Sequence, residues 1–276
     1  MIPLVIAHRG ASIEAPENTL RAFQRALELG VDGIELDVQV TCDGIPVVFH
    51  DFTLTRLTGT RGRLTDHTWS KLQKLRVGGE PIPTLADVLL LTRKRCILQI
   101  EIKKGAPVAP ILAAIRKTAS TKNVILASFE PDILHEAATL APKLPRMLIV
   151  DKPSQFYTKN AKDEPSKTSA IRHSLCPSKP SGEVGPFGIR HLPSPSHLSP
   201  DACRLLRAMS AVGASGLSVS HEAITTSSFV ETVHRHGTQL WCWTVNDVRS
   251  MRRLRRYAVD AILTNDPAKL LKVLRE

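Results

Sequence analysis

His8 and Arg9 follow directly on the apolar run at 5–7. An imidazole and a guanidinium are poor residues for the end of a buried strand unless a ligand needs them there. Comparable residues recur along the chain. Glu35 and Asp37 lie two apart in GIELDVQV, so in a strand they share one face. His50 ends IPVVFH, Glu101 and Lys103 close CILQIEIK, and Trp243 ends QLWCW. Ser128, Asn246, Thr264 and Asp266 hold similar places in later runs. Three converging carboxylates repel one another and cannot all stay ionised unless a cation joins them. Oxygen donors select a hard divalent ion, Mg²⁺ or Ca²⁺. Imidazole titrates near neutrality, so one of His8 and His50 can take a proton while the other gives one. Arg9 and Lys103 add positive charge, the arginine as a fork that fits phosphate oxygens. Together these are the parts for phosphoester cleavage: neutralise the phosphate, activate a nucleophile, protonate the leaving alkoxide. Taken singly, each has a blander reading. An isolated Glu-x-Asp more often points outward or pairs with an arginine, and a lone strand-end histidine is more often a structural hydrogen-bonder. Recurrence at sister positions reverses those odds.

Such residues must be positioned by regular elements. PLVIA reads as a strand, and NTLRAFQRALELG as a helix capped by Asn18 and ended by Gly30. GIELDVQV is a strand, TCDG a hairpin turn, and IPVVFH its return. Strand–helix units follow in CILQIEI with APVAPILAAIRKTAS, and NVILASF with PDILHEAATLA. Then come RMLIV, SGLSVS with SSFVETVHRHG, QLWCWTV with DVRSMRRLRRY, and DAILTN with PAKLLKVLR. The hairpin return should pair antiparallel. Setting it aside leaves eight strands, the count for an α/β fold of the (β/α)8 type, whose site lies at the strands' carboxyl ends. Residues 51–84 mix short segments and read as a small inserted lobe at the barrel mouth. Within 151–200, 17 of 50 positions are Pro or Ser and apolar residues are sparse, which predicts a loosely ordered or disordered insert. The remainder reads as one barrel domain over 1–276.

The net charge of +11 suits anionic partners: phosphorylated metabolites or an acidic lipid surface, the latter as a weak association. Arg249, Arg252, Arg253 and Arg256 share one helical face, which a solvated exterior explains as well. No zinc-finger spacing, recognition-helix pattern or aromatic interleaving points to nucleic acid. Five scattered cysteines without a C-x-x-C, no signal-peptide core and no long apolar run lead to the expectation of a cytoplasmic protein in a reducing compartment.

AHRGASIEAPENTLRAFQRALELGVDGIELDVQVTCDGIPVVFHD closely resembles the signature of glycerophosphodiester phosphodiesterases. IEIK, WTVND and VDAILTNDP resemble that family's later blocks, in order. The resemblance covers nearly all of the chain outside 151–200. It implies a phospholipase-C-like TIM barrel that hydrolyses glycerophosphodiesters to sn-glycerol 3-phosphate and an alcohol with a divalent metal cation. It also implies roles: His8 and His50 as the acid–base pair, Glu35, Asp37 and Glu101 as metal ligands, Arg9 and Lys103 on the phosphate, and Trp243 against the glycerol end. The segment 51–84 looks like the family's small lobe. Ala261 stands where the family pattern often has glycine, the same block ends in Asn265-Asp266, and the Pro/Ser-rich insert is atypical.

Two other readings stand beside this one. A lysophospholipase-D-like activity on the same scaffold would need an apolar groove for an acyl chain. A catalytically silent binding barrel would have no use for an intact set of acids and histidines. If the Pro/Ser-rich stretch is an appendage, deleting residues 155–195 leaves the circular dichroism of a folded protein; loss of secondary structure would show that the barrel needs it.

Overall fold

The computed structural model describes residues 2–118, 121–153 and 199–276. Nearly all of the Pro/Ser-rich stretch lies outside the described residues. The chain opens with β1 (Leu4–His8), α1 (Leu20–Leu29), β2 (Gly33–Val40) and β3 (Pro46–Val48). Next come the short elements α2 (Thr55–Thr58), α3 (Trp69–Leu72), β4 (Arg76–Val77) and β5 (Glu80–Pro81). Then follow α4 (Leu85–Thr92), β6 (Ile97–Ile102), α5 (Val108–Lys117), β7 (Val124–Ser128), α6 (Pro131–Leu140) and β8 (Arg146–Val150). The last part holds α7 (Pro200–Ala211), β9 (Gly216–Ser220), α8 (Ser227–Arg235), β10 (Gln239–Trp243), α9 (Val248–Tyr257), β11 (Ala261–Thr264) and α10 (Pro267–Arg275).

Eight parallel strands close on themselves in the order β1, β2, β6, β7, β8, β9, β10, β11, with β11 returning to β1. The fold is the predicted (β/α)8 barrel. β3 adds antiparallel to the upper part of β2, as its tight hairpin requires. Alternation along the strands separates two cores. Ile6, Ala127, Met147, Ile149, Trp241, Ala261 and Leu263 fill the barrel interior. The opposite side chains, such as Val5, Leu36, Ile100 and Leu126, pack outward against the helices. Ala261, the departure from the family's glycine, pairs with Trp241 and Leu4 in this interior layer, at the start of β11 and away from the carboxyl ends of the strands.

Several boundaries differ from expectation. Thr19, and not Asn18, caps α1: its side chain accepts a hydrogen bond from the Ala22 amide. Asn18 is released for another role. Two helices went unread. In α4, LADVLLLT is apolar on most sides, so no amphipathic stripe marks it, although Thr84 and Asp87 form a capping box. α7 starts at Pro200, on the margin of the Pro/Ser-rich composition. The lobe after β3 has a small core of its own, in which Leu54, Leu64, Leu72, Val77 and Ile82 pack on Val47 and Phe49 of the hairpin return. The helical arginines lie on the solvent side of α9: Arg249, Arg252 and Arg256 are exposed, and Arg253 donates to the His221 carbonyl.

The turn leaving β1 is the tightest point near the strand ends. Arg9 and Gly10 both have positive φ (59° and 83°). A Cβ on Gly10 would lie 2.7 Å from the Ala22 carbonyl carbon, so α1 packs against bare backbone there. Gly44, in the hairpin turn, has a similar φ of 82° but nothing near its missing Cβ. Gly10→Ala should therefore cost more than ~2 kcal/mol and Gly44→Ala only about 1, read by urea unfolding. Equal losses would mean that the contact with α1 is immaterial.

Candidate active site at the carboxyl ends of the strands

Register brings the polar residues together. His8 is the strand partner of Glu35, and Asp37 is the partner of Glu101. Glu35, Asp37 and Gln39 alternate inward along β2, and Glu101 does so on β6. Oxygens of Glu35, Asp37 and Glu101 all lie within 4.8 Å of one another, and all three side chains are almost wholly covered. Lys103 Nζ reaches into this group, 2.6 Å from Glu101 Oε1 and 3.2 Å from Asp37 Oδ1. Arg9 adds a second cation, its Nε 3.3 Å from Asp37 Oδ2. Asn18, from the loop before α1, donates its Nδ2 to the same Asp37 oxygen at 2.8 Å.

The three acids answer this crowding differently. Burial, then Asp37 and Glu101, drive the Glu35 carboxyl well above the usual range. Burial and Asp37 push Glu101 up to about 7 against the pull of Lys103. Burial also disfavours charge on Asp37, but Lys103 and Arg9 outweigh it and hold this carboxyl below its ordinary value. Glu35 and Glu101 thus take up protons more readily than free carboxyls, and a divalent cation would compete with those protons. The donor set is all oxygen and suits a hard ion.

The two histidines are fixed through their Nδ1 atoms. His8 Nδ1 is 2.7 Å from Asn265 Oδ1, and Ser12 Oγ donates to the same oxygen at 3.2 Å. Asn265 is itself steadied by its backbone N–H, which donates to Asn246 Oδ1 at 3.0 Å. With Nδ1–H donating, His8 turns Nε2 toward Glu35 at 3.8 Å. Burial, and after it the Arg9 charge, lower the His8 pKa to about 4, so the ring is neutral near pH 7. His50 Nδ1 donates to Asp51 Oδ1 at 2.7 Å, which leaves its Nε2 free for the cleft.

Behind His50 runs a chain of ion pairs that joins the lobe to the barrel. Arg56, on α2, grips Asp51 through Nε and Nη2 at 2.6 and 2.7 Å. Its Nη1 and Nη2 also reach Glu17 at 3.1 and 2.9 Å, and Glu17 in turn accepts from Arg9 Nη1 at 3.0 Å. The bidentate hold of Arg56 brings the Asp51 carboxyl down to about 2. His50 and Arg9 are thus tied into one frame. Gln39 secures the same corner by donating to the carbonyls of Phe49 and Asp51.

These groups line a cleft with a cavity volume of about 110 Å³. Its apolar wall is Trp243, Phe129, Ile149 and Leu263, with the Trp243 and Phe129 rings edge to face at 5.6 Å. All eight of the expected site residues gather here: His8, Arg9, Glu35, His50, Glu101, Lys103 and Trp243 line the cleft, and Asp37 lies behind them against Lys103 and Arg9. Ser128 and Asp266 do not join them. Ser128 is buried and bonds the Ile102 carbonyl, and Asp266 caps α10. Thr264 serves Asn246. Glu17 and Arg56 carry no sequence signal, and Asn18 and Asn265 none for their roles here, because all four sit in loops or a four-residue helix, where no periodicity singles out a side chain.

A parallel barrel with acids, imidazoles and cations gathered at its carboxyl-end mouth defines a barrel enzyme equipped for an anionic ester. Comparison with known proteins narrows the class. This chain belongs to the glycerophosphoryl diester phosphodiesterase family, whose profile matches residues 8–179 and 191–269. It is 32% identical to a glycerophosphodiester phosphodiesterase of Caldanaerobacter subterraneus over the whole of this chain and 99% of the relative. The fold is similar to that of the Thermotoga maritima glycerophosphodiester phosphodiesterase, with a TM-score of 0.70, 26% identity and 98% of each chain covered. It also resembles an Oleispira antarctica phosphodiesterase solved with the product sn-glycerol-3-phosphate, with a TM-score of 0.76 and 22% identity over all of this chain and 98% of that one.

The protonated acids predict a linked equilibrium. Divalent cation binding to the metal-free protein should release protons at pH 6, and affinity should rise as pH increases through about 7, where Glu101 loses its proton. Calorimetric titration in buffers of different ionisation enthalpy reads both. Affinity independent of pH, with no proton release, would show that Glu35 and Glu101 are already ionised before the cation binds.

Proposed function

We propose that this protein hydrolyses glycerophosphodiesters to sn-glycerol 3-phosphate and an alcohol, using a divalent cation and histidine acid–base catalysis. The observation that carries the reading is the convergence of two differently held imidazoles on a cleft that also holds three acids and two cations. Membership of the family and the Caldanaerobacter relative support the same substrate class.

In this reading Arg9 and Lys103 draw the phosphodiester into the cleft, and Trp243 with Phe129 walls its glycerol end. His8, neutral near pH 7, takes a proton from the attacking water. His50, steadied by Asp51, gives a proton to the departing alkoxide. Glu35, Asp37 and Glu101 would hold a divalent cation, which would supply Lewis-acid stabilisation of charge on the phosphate. Arg56 is a positioning residue: through Asp51 and Glu17 it sets His50 and Arg9 relative to each other. A cleft of about 110 Å³ suits a glycerol phosphate better than an acyl chain, which favours small soluble diesters over lysophospholipids.

Incubation with glycerophosphocholine or glycerophosphoethanolamine should release glycerol 3-phosphate in the presence of a divalent cation and not in EDTA. His8→Ala and His50→Ala should each lower kcat by about 10²- to 10⁴-fold, and Glu35→Ala should abolish the cation-dependent activity. Arg56→Ala should lower kcat by roughly 10- to 100-fold, more than it raises KM, with partial recovery in Arg56→Lys. No product with any cation would refute the proposal, and lysophosphatidate release from lysophospholipid would transfer it to the second activity.

A further inference from the structure

The face opposite the cleft carries a different pattern. In a parallel barrel every turn that leads from a helix into a strand lies at the amino-terminal end, away from the mouth. Three such turns are strongly basic: Arg93, Lys94 and Arg95 before β6, Lys117 and Lys122 before β7, and Lys143 before β8. β6, β7 and β8 are neighbours in the barrel, so the turns form one continuous arc. All six side chains are exposed, and among the described residues none has an ion-pair partner. No Asp or Glu occurs in 88–97, 113–126 or 137–149, and Asp32, just before the adjacent β2 at this end, accepts from the Val5 amide through its carboxylate and pairs with none of the six. Lys94 stands at its tip in a left-handed conformation with φ 59°.

Two exposed leucines flank these cations. Leu90 near the end of α4 is 58% exposed, and Leu140, the last residue of α6, is 42% exposed. Both helices run back toward this end of the barrel. The other basic surface, on α9, is more self-contained: Arg252 pairs with Glu276, and Arg253 and Arg255 bond backbone carbonyls.

We propose that this arc docks the protein on an anionic phospholipid bilayer, with the cationic turns on the headgroups and Leu90 and Leu140 at the interface. Juxtaposed cations are drawn to anionic headgroups within a Debye length, and apolar side chains beside them gain by leaving water. Single-stranded nucleic acid is held by aromatic side chains that stack its bases, and these turns contain none; a duplex would leave Leu90 and Leu140 in water. Docking on this face turns the cleft away from the bilayer, toward water. The inference is independent of the reaction proposed above, because none of these residues touches the cleft.

Sedimentation of the full chain with lipid vesicles tests it. The protein should pellet with phosphatidylcholine vesicles containing phosphatidylserine at least ~5-fold more than with phosphatidylcholine alone, and should be released as salt rises from ~0.1 to ~0.5 M. The triple variant Arg93→Glu, Lys94→Glu, Arg95→Glu should lose about 10-fold or more of this binding with an unchanged thermal midpoint. Arg61→Glu, Arg63→Glu, Lys74→Glu, in the lobe, changes net charge equally and should keep it. Equal loss in both triples would overturn the arc in favour of overall charge. No binding to phosphatidylserine vesicles, or binding only to a nucleic-acid oligomer, would overturn it outright.

Discussion

Three carboxylates share one small volume inside a closed barrel, and much of the surrounding structure answers that crowding. Glu35, Asp37 and Glu101 cannot be separated, because strand register places their backbones side by side. Nor can water screen them, because the barrel wall covers them. Lys103 and Arg9 therefore enter the group as counter-charges, Asn18 directs its amide to Asp37, and the other two acids are pushed above the usual carboxylate range. The left-handed Arg9 and the bare Gly10 follow from the same demand. The chain must turn sharply after β1 so that Arg9 can face the acids while α1 packs behind. Strain of this kind persists where the surroundings over-determine it.

The inserted lobe has a physical role in that arrangement. Its small core of leucines holds α2 rigidly enough for Arg56 to bridge Asp51 and Glu17. Its ribbon also leans on the loop after β1: Gly78 approaches Pro16 so closely that a Cβ would lie 2.5 Å from the ring. The lobe is thus a brace between the hairpin that carries His50 and the turn that carries Arg9. The two histidines are held by different chemistry. An amide and a hydroxyl secure His8 in a buried place, and an ion-paired carboxylate secures His50 nearer the solvent.

Much of this was legible in the chain itself, for identifiable reasons. Strands buried on both faces write themselves as short apolar runs, so all eight barrel strands and the antiparallel hairpin could be read. Polar residues that interrupt such runs cost too much to be incidental, so His8, Glu35, Asp37 and Glu101 stood out. α4 escaped because a helix covered on most sides loses its amphipathic stripe. Asn18 was misread as a cap because Asn and Thr are both good cap residues and adjacent here; only packing assigns the cap to Thr19. Ser128 had the right address and the wrong orientation, facing the outer layer where the Ile102 carbonyl claims its hydroxyl.

By itself, then, the sequence determined the barrel, the end at which its chemistry collects and the residue types that converge there, because periodicity and the cost of burying polar groups are local properties. Only the tertiary structure decided how those groups differ. That His8 is buried neutral while Asp37 stays ionised depends on neighbours from β2, β6 and distant loops. That Asn265 steadies one histidine, and Arg56 the other through Asp51, depends on contacts across up to 257 positions of chain. The basic arc at the opposite end was likewise only scattered lysines and arginines until the closing of the barrel set three turns side by side.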